Sequence, residues 1–152
     1  MSNKEKLNFK IGLSGTYWDK KPKYSVLIDN TVVKSGEVSA ASDEIFYVEF
    51  DFEFEESAKS TLCVRLNNKT DSDVKKDNYE TEDYNIIGDL LLHINSLEID
   101  EIDVGQLIWT NSRFVGDEKS RGTIDNCVDL GWNGTWEFPF ESPFYIWLLE
   151  KI

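Results

Sequence analysis

Cysteine, methionine, proline and histidine are all scarce in this sequence of 152 residues, which has two, one, three and one of them, respectively. Two cysteines are too few for a disulfide framework. Cys63 lies in the apolar run LCV and is predicted to be a buried free thiol, and a bridge between it and Cys127 stays open. The chain also lacks the cysteine and histidine spacing of a zinc site.

Long apolar runs are missing as well. No stretch approaches the roughly 18 residues of a membrane-spanning helix. The N-terminal MSNKEKLNFK has no apolar region of the kind that a signal peptide needs. We therefore expect the protein to be cytoplasmic as synthesised, and to stay there or leave within an assembly.

Basic residues are few relative to acidic ones: 16 against 29, for a net charge of -13. Such a charge repels nucleic acid and anionic membrane surfaces, so neither is predicted as a direct partner. It suits cations, neutral ligands and basic protein surfaces. A role in solubility alone is an alternative explanation of the same charge.

What the sequence does contain is a pattern of short strands. Residues 45–54 (IFYVEFDFEF) alternate in the way that a strand with one wet face requires. Asp29-Asn30 is a tight-turn signal that predicts a hairpin over residues 23–37. The alternation slips at Asn95-Ser96, which predicts a bulge or a turn. Other strand candidates are residues 7–13, 60–67, 90–104, 106–109 and 135–140.

These strands predict one all-β domain over residues 1–152, an antiparallel β-sandwich with long loops and an aromatic C-terminal segment. Residues 143–150 are predicted to be a short helix opened by proline or a terminal strand. Residues 68–88 and 111–131 interrupt the pattern. They are interpreted as long loops, which in compact domains are usually functional or disordered.

The first of these loops is rich in oxygen ligands. Its carboxylates and amides are numerous enough for calcium, which takes six to eight oxygens from flexible loops. The spacing is not that of an EF-hand, and a solvated acidic loop is the alternative. The candidate ligands are Asp71, Asp73, Asp77, Asp83, Asp89, Asn67 and Asn68.

The order of segments from residue 8 to residue 104 resembles the calcium-dependent xylan-binding group of carbohydrate-binding modules. The resemblance rests on residues 11–16 (IGLSGT), 22–29 (PKYSVLID), 64–68 (VRLNN) and 89–100 (DLLLHINSLEID). It covers about two-thirds of the chain, and its motifs are short.

This resemblance implies a jelly-roll sandwich in which residues 6–104 form the module-like core and residues 105–152 an aromatic extension packed on it. It also implies that calcium binds in the loop before a late strand, with Asp77, Asp83 and Asp89 as the ligands, and contacts sugar hydroxyls. The ligand-binding residues predicted with it are Trp18, Asn67, Asn68 and Tyr79.

Residues 130–136 (LGWNGTW) and 143–150 (PFYIWLLE), taken with the same segments, also resemble uncharacterised proteins of large tailed bacteriophages. That resemblance implies a virion setting, with other virion proteins or host proteins as partners, and leaves a homo-oligomer open. The crowded aromatics of this region either stack on sugars and partner proteins or fill the sandwich core.

No catalytic motif is recognised, and the protein is predicted not to be an enzyme. His93 alternates out of the apolar face and is interpreted as a surface or edge histidine, because no serine or cysteine motif supplies a nucleophile for it. The 29 acids make a pair of glycosidase carboxylates impossible to single out.

Two functions follow. The first is a non-catalytic binding or structural accessory protein of a phage, of the virion accessory or decoration type, with a calcium-dependent carbohydrate-binding site. The alternative is an acidic inhibitor or anti-defence protein that binds a basic protein surface by imitating nucleic acid. Mimicry needs acids in rows spaced like phosphates on one face, whereas a solvated surface scatters them. The alternation places Glu49, Asp51 and Glu53 on one strand face, which keeps this alternative open.

Overall fold

A computed structural model describes residues 4–40, 43–76 and 86–151, and in these ranges the chain is made of antiparallel strands with two short α-helices. The strands are β1 (Lys4–Thr16), β2 (Lys23–Ile28), β3 (Thr31–Glu37), β4 (Phe46–Glu55), β5 (Lys59–Leu66), β6 (Lys75–Lys76), β7 (Ile86–Gly88), β8 (Leu91–Ile99), β9 (Ile102–Asp103), β10 (Arg113–Gly116), β11 (Thr123–Asp125), β12 (Asp129–Leu130) and β13 (Gly134–Glu141). The helices are α1 (Leu107–Thr110) and α2 (Phe144–Lys151), and a 3-10 turn lies at Asp71–Asp73.

Two sheets form the two layers of the fold. One has the order β12-β8-β1-β4 with β9 paired to β8, and the other has the order β11-β10-β13-β5-β2-β3. Strands β6 and β7 make a separate two-stranded ribbon. The fold is therefore the antiparallel β-sandwich that the strand pattern predicts.

The core lies between the two sheets and is filled mainly by alternate residues of β1, β2, β4, β5, β8 and β13. On β1, Leu7, Phe9 and Ile11 have no exposed surface. The ring of Phe9 lies 5.1 Å from that of Phe50 on β4 and 6.0 Å from that of Phe140 on the facing sheet. Burial of each such side chain stabilises the fold by roughly 1.5–3 kcal/mol, so these rings hold the layers together.

Strand β13 carries part of the aromatic C-terminal segment into this core. Trp136, Phe138 and Phe140 are buried, and the residues between them face away from the core. Two roles were considered for the C-terminal aromatics, ligand binding and core filling, and these three residues fill the core. Because β13 lies between β5 and β10, described residues of the 105–152 segment share a sheet with residues of the 6–104 segment.

Two local predictions are confirmed. Strands β2 and β3 form a hairpin whose turn residues Asp29 and Asn30 have φ of 48° and 71°, a conformation that two-residue hairpin turns require. The pairing of β1 with β8 shifts between Gly12, which faces Ser96, and Leu13, which faces Ile94. The shift leaves one extra residue on β8 at the predicted bulge.

Two other local predictions are wrong. Residues 106–109 are not a strand, because α1 occupies Leu107–Thr110. The 111–131 segment is not a single irregular loop, because it contains β10, β11 and β12. These three strands have only two to four residues each, so local alternation is too short to reveal them. Strand β11 pairs with β10, β10 also pairs with β13, and β12 pairs with β8.

The C-terminal segment ends in a helix and not in a strand. Helix α2 begins directly after Pro143, and the carboxylate of Glu5 accepts a 3.0 Å hydrogen bond from the main-chain N–H of Phe144. Trp147 packs its ring 5.9 Å from that of Phe138. Among the described residues, no helix has the length and apolar character needed to cross a membrane.

Candidate functional site

One end of the sandwich gathers the loops that follow β5 and β10 and the loop that precedes β13. The pairings set this arrangement, because Gly134 at the start of β13 faces both Leu66, which ends β5, and Gly116, which ends β10. Strand β8 begins nearby in the other sheet, with Leu92 facing Leu130 of β12. Side chains from four separate loops therefore meet at this end.

A cavity of about 370 Å³ lies among these loops. Its volume falls within the range of about 300–1,000 Å³ that is usual for small-molecule sites. We call it the Trp132 cavity after the aromatic residue in its wall. It is lined by Lys69, Thr70, Asp71, Val74, Ile86, Asp89, Asp117, Glu118, Arg121, Gly131, Trp132 and Asn133.

The indole of Trp132 is held in place by neighbours from the β10–β11 hairpin. Its ring lies 5.4 Å from that of Phe114, and the guanidinium carbon of Arg121 lies 4.9 Å from its centre. The indole edge rests on Gly116, where a Cβ atom would lie 2.5 Å from Nε1. The Nε1–H is buried and has no acceptor among the described residues. Trp132 thus gives the cavity a fixed, partly exposed aromatic wall.

Several charged side chains of the cavity are held by ion pairs. Lys69 Nζ lies 2.6 Å from Asp89 Oδ1, and Asp117 Oδ2 lies 2.9 Å from a guanidinium nitrogen of Arg65. The Lys69 side chain is only 11% exposed. Because the partners restrict the rotamers, these groups present hydrogen-bonding atoms at defined positions.

A second buried charge lies next to the cavity-lining residues Asp71 and Val74. Asp73, in the 3-10 turn, is buried and lies 2.9 Å from Lys20 Nζ. Burial raises the pKa of the Asp73 carboxyl, but hydrogen bonds from Lys20 and Thr70 outweigh it and hold the pKa below its usual range. The main-chain oxygen of Asp73 accepts a 2.8 Å hydrogen bond from Trp18 Nε1, which fixes that indole on the loop.

The structure brings two of the candidate calcium ligands, Asp71 and Asp89, to the cavity lining, and Asp89 is the one that the resemblance also implies. Its Oδ1 also lies 2.8 Å from the N–H of Leu90. Asp77 and Asp83 lie outside the described residues. No group of three or more histidine, cysteine, aspartate or glutamate side chains is placed to hold a metal ion in the described ranges. Calcium at Asp77, Asp83 and Asp89 stays a prediction.

The predicted ligand-binding residues lie apart from the cavity lining where the structure describes them. Trp18 is 48% exposed and packs against Gly88. Asn68 accepts a hydrogen bond from the N–H of Lys23 and donates one to the oxygen of Lys21, so its amide ties two loops together. Asn67 is exposed directly after β5. The fourth, at position 79 (Tyr79), lies outside the described residues.

The sequence interpretation missed several residues that line the cavity. In the sequence Trp132 belongs to the aromatic C-terminal segment, and no local pattern separates it from the core residue Trp136. Asp117, Arg121 and Asn133 lie in segments without a recognised motif. The pair of glycines around Trp132-Asn133 is the one available signal, since glycines next to an aromatic residue favour an exposed turn.

His93 takes part in a hydrogen-bonded chain on the face of the β12-β8-β1 sheet. Its Nε2 lies 2.8 Å from Thr16 Oγ1 and its Nδ1 2.7 Å from Asp129 Oδ1. The three residues lie on adjacent strands, which the chain cross-links. The Trp132 cavity contains none of them.

The acidic face of β4 is compensated by basic residues. In the pairing of β1 with β4, Glu49 faces Lys10 and Glu53 faces Lys6. Asp51 accepts a 2.9 Å hydrogen bond from Asn8 Nδ2 and lies 3.9 Å from Lys6 Nζ. These neighbours offset part of the negative charge of the row, so this face gives the inhibitor alternative no added support.

The sequence matches no protein-family model and no curated protein. Two solved structures are similar to it in fold. One is vCBM60 in complex with galactobiose, with a TM-score of 0.51 and 11% identity over 86% of this chain and 96% of that chain. The other is the selenomethionine form of vCBM60, described with a circular permutation that links two families of calcium-dependent carbohydrate binding modules. It has a TM-score of 0.51 and 11% identity over 87% of this chain and 89% of that chain. At this identity the likeness establishes a shared fold.

Proposed function

We propose that this protein is a non-catalytic carbohydrate-binding protein and that the glycan binds in the Trp132 cavity. The observation that carries the proposal is the combination, in one cavity of about 370 Å³, of an aromatic wall and fixed charged hydrogen-bonding groups. A sugar ring has an apolar C–H face that packs on an indole and hydroxyls that hydrogen-bond to carboxylates and ammonium groups. The cavity offers both kinds of contact side by side.

The fold gives independent support. The similar structures include a carbohydrate-binding module bound to galactobiose, and the sandwich of this chain aligns with nearly all of that module. Fold alone does not determine function, so the cavity and not the likeness must carry the argument. The likeness supplies a first ligand to test, galactobiose.

The charges of the cavity favour an uncharged glycan. Asp71, Asp89, Asp117 and Glu118 line it, whereas Lys69 and Arg121 are the only cations among the lining residues that the structure describes. Both cations already face carboxylates, since Arg121 Nε also lies 4.0 Å from Glu118 Oε2. An acidic sugar would therefore meet excess negative charge, and a neutral one would not.

A glycan array followed by calorimetric titration with galactobiose tests the proposal. Wild type should bind neutral glycans, and Trp132→Ala should weaken the binding at least about tenfold, as expected when an aromatic contact of 1.4 kcal/mol or more is lost. The matched control is Trp109→Ala, since Trp109 is 48% exposed and lies outside the cavity. An array without any bound glycan, or equal loss in both variants, contradicts the proposal. Incubation with galactobiose should give no cleavage products.

Calcium dependence, a phage setting and binding to virion or host proteins remain predictions of the sequence. Calcium at Asp77, Asp83 and Asp89 is tested by calorimetry of wild type and Asp89→Ala with calcium. The phage setting is tested by mass spectrometry of purified virions from the source of the sequence. Binding to a basic protein surface is tested by affinity capture at low and high salt.

A further inference from the structure

Lys69 is the most constrained charged residue of the Trp132 cavity. Its Nζ lies 2.6 Å from Asp89 Oδ1 and 2.6 Å from the main-chain oxygen of Gly131. Its main chain is fixed by Asn133, which accepts from the Lys69 N–H and donates to the Lys69 oxygen, both at 2.9 Å. The ammonium group of a lysine usually remains in water. A lysine side chain that is only 11% exposed and whose ammonium makes two short contacts is therefore a built feature of the cavity.

The two oxygens that hold this ammonium are of the types that calcium takes, a carboxylate and a main-chain carbonyl. In this chain the ammonium group of Lys69 donates hydrogen bonds to both of these oxygens. Asp117, the next carboxylate in the wall, is paired with Arg65. Within the described ranges no cluster of three or more metal-binding side chains exists. The described donor set therefore does not fit a calcium ion at Asp89 while Lys69 is in place.

We propose that the Lys69 ammonium is the resident cation of the Trp132 cavity and that it binds a glycan hydroxyl directly, so that no divalent ion is required there. An ammonium has three N–H donors. Two point to Asp89 and Gly131, and the third has no acceptor among the described residues. A hydroxyl oxygen of a neutral sugar supplies that acceptor, in a hydrogen bond strengthened by the charge. The glycan contact rests on the proposed function, whereas the cation role stands on the ion-pair geometry alone.

The cation role is tested without any glycan, by thermal unfolding in chelator and in excess calcium. Wild type should melt at the same temperature in both. A rise of several degrees with calcium would overturn the proposal, because a ligand that binds only the native state raises its stability.

A mutant cycle tests the ion pair itself. Lys69→Met and Asp89→Asn should each lower the melting temperature by several degrees, since each leaves a largely buried partner without its counterpart. The double variant should lose clearly less than the sum of the two. Additive losses would show that the pair is not coupled and would overturn the cation role. If Lys69→Met does not fold, Lys69→Gln, which removes the charge and keeps a hydrogen-bond donor, replaces it in the cycle.

The glycan contact is tested by calorimetric titration with galactobiose. Wild type should bind it equally, within about twofold, in chelator and in calcium, and Lys69→Met should bind at least about tenfold more weakly, as expected for a charged hydrogen bond. Binding that appears only with calcium, or unchanged binding by Lys69→Met, overturns the proposal. Absence of binding in both buffers counts against the proposed function instead, and the melting experiments still decide the cation role.

Discussion

Asn133 and Lys69 exchange two hydrogen bonds of 2.9 Å, one in each direction between an amide side chain and the main chain. The pair links the loop after β5 to the loop before β13. Since both loops line the Trp132 cavity, one amide sets the distance between two of its walls. The shape of the cavity therefore depends on Asn133 even if its side chain makes no contact with the ligand.

Asn133→Ala removes both hydrogen bonds at once. We expect the free energy of unfolding to fall by about 1–3 kcal/mol, because partly buried main-chain groups lose their partners, and we expect galactobiose binding to weaken. Urea denaturation and calorimetry measure the two effects. The control is Asn111→Ala, whose amide donates to the oxygen of Pro139 at the other end of β13. It should lose stability and keep its affinity, and equal loss of affinity in the two variants would contradict the role of Asn133.

Gly116→Ala should disturb the aromatic wall. The new Cβ would lie 2.5 Å from Trp132 Nε1 and 2.9 Å from the Cβ of Arg121, so the indole must shift. We expect weaker galactobiose binding and a loss of stability of about 1–3 kcal/mol from overpacking. Gly36→Ala, on the edge strand β3, is the matched control, because the nearest atom to its new Cβ is the hydroxyl oxygen of Tyr24 at 3.3 Å. Unchanged binding by Gly116→Ala would show that the position of the indole is not important.

The Asp73 carboxyl should make stability depend on pH. Its folded-state pKa is below its usual range, and the unfolded-state value is about 3.9. The carboxylate therefore stabilises the fold fully above the unfolded-state pKa, and this stabilisation is lost as the pH falls through the folded-state pKa.

Unfolding of wild type and Asp73→Asn in urea at several pH values checks this sign. The difference in unfolding free energy, about 1–3 kcal/mol at neutral pH for a hydrogen-bonded charge, should shrink below about pH 4. Asp71→Asn, an exposed neighbour in the same turn, should show a much smaller difference. A difference for Asp73→Asn that grows on acidification would contradict the assignment.

The two cysteines are free and should differ in reactivity. Burial, reinforced by the carboxylates of Glu137 and Asp29, raises the pKa of the Cys63 thiol to about 12, and burial also raises the pKa of the Cys127 thiol. Since the thiolate is the reactive form, alkylation at pH 8 should modify Cys127 slowly and Cys63 only after unfolding. Mass spectrometry of digested wild type, with Cys63→Ala as control, measures this. Rapid modification of Cys63 in the native protein would contradict it.

The long alternating segments allowed the fold to be predicted. Residues 45–54 became β4 because alternation over ten positions favours a single register, and the slip at Asn95-Ser96 identified the bulge correctly. Strands β10 to β12 escaped prediction because they have only two to four residues each, and because β10 and β12 also pair with strands outside the segment, β13 and β8. The four residues of α1 are too few for a helical period to emerge.

The site was less predictable for a related reason. The sequence indicates that the loop before Leu90 is acidic, and Asp89 does line the cavity. It does not indicate that Lys69, twenty residues earlier, returns to the same carboxylate. Nor does the sequence separate Trp132 from Trp136. Trp132 lies in the loop before β13 and is partly exposed, whereas Trp136, four positions later, lies in β13 and is buried.

The acids on the exposed face of β4, which lie opposite Lys6, Asn8 and Lys10 of β1, disfavour self-association through this strand. Strand β4 lies at the margin of its sheet, with one side bonded to β1 and no strand among the described residues on the other. A second copy that paired along this margin in register would place Glu49, Asp51 and Glu53 against acids of its own kind, with no lysines between them. If the register between the two copies shifted by one residue, the acids of the second copy would instead lie on the side of the apolar layer between the sheets. Growth of the sheet into a polymer is therefore opposed in both registers, and within the described sheet the row of acids faces Lys6, Asn8 and Lys10 of β1.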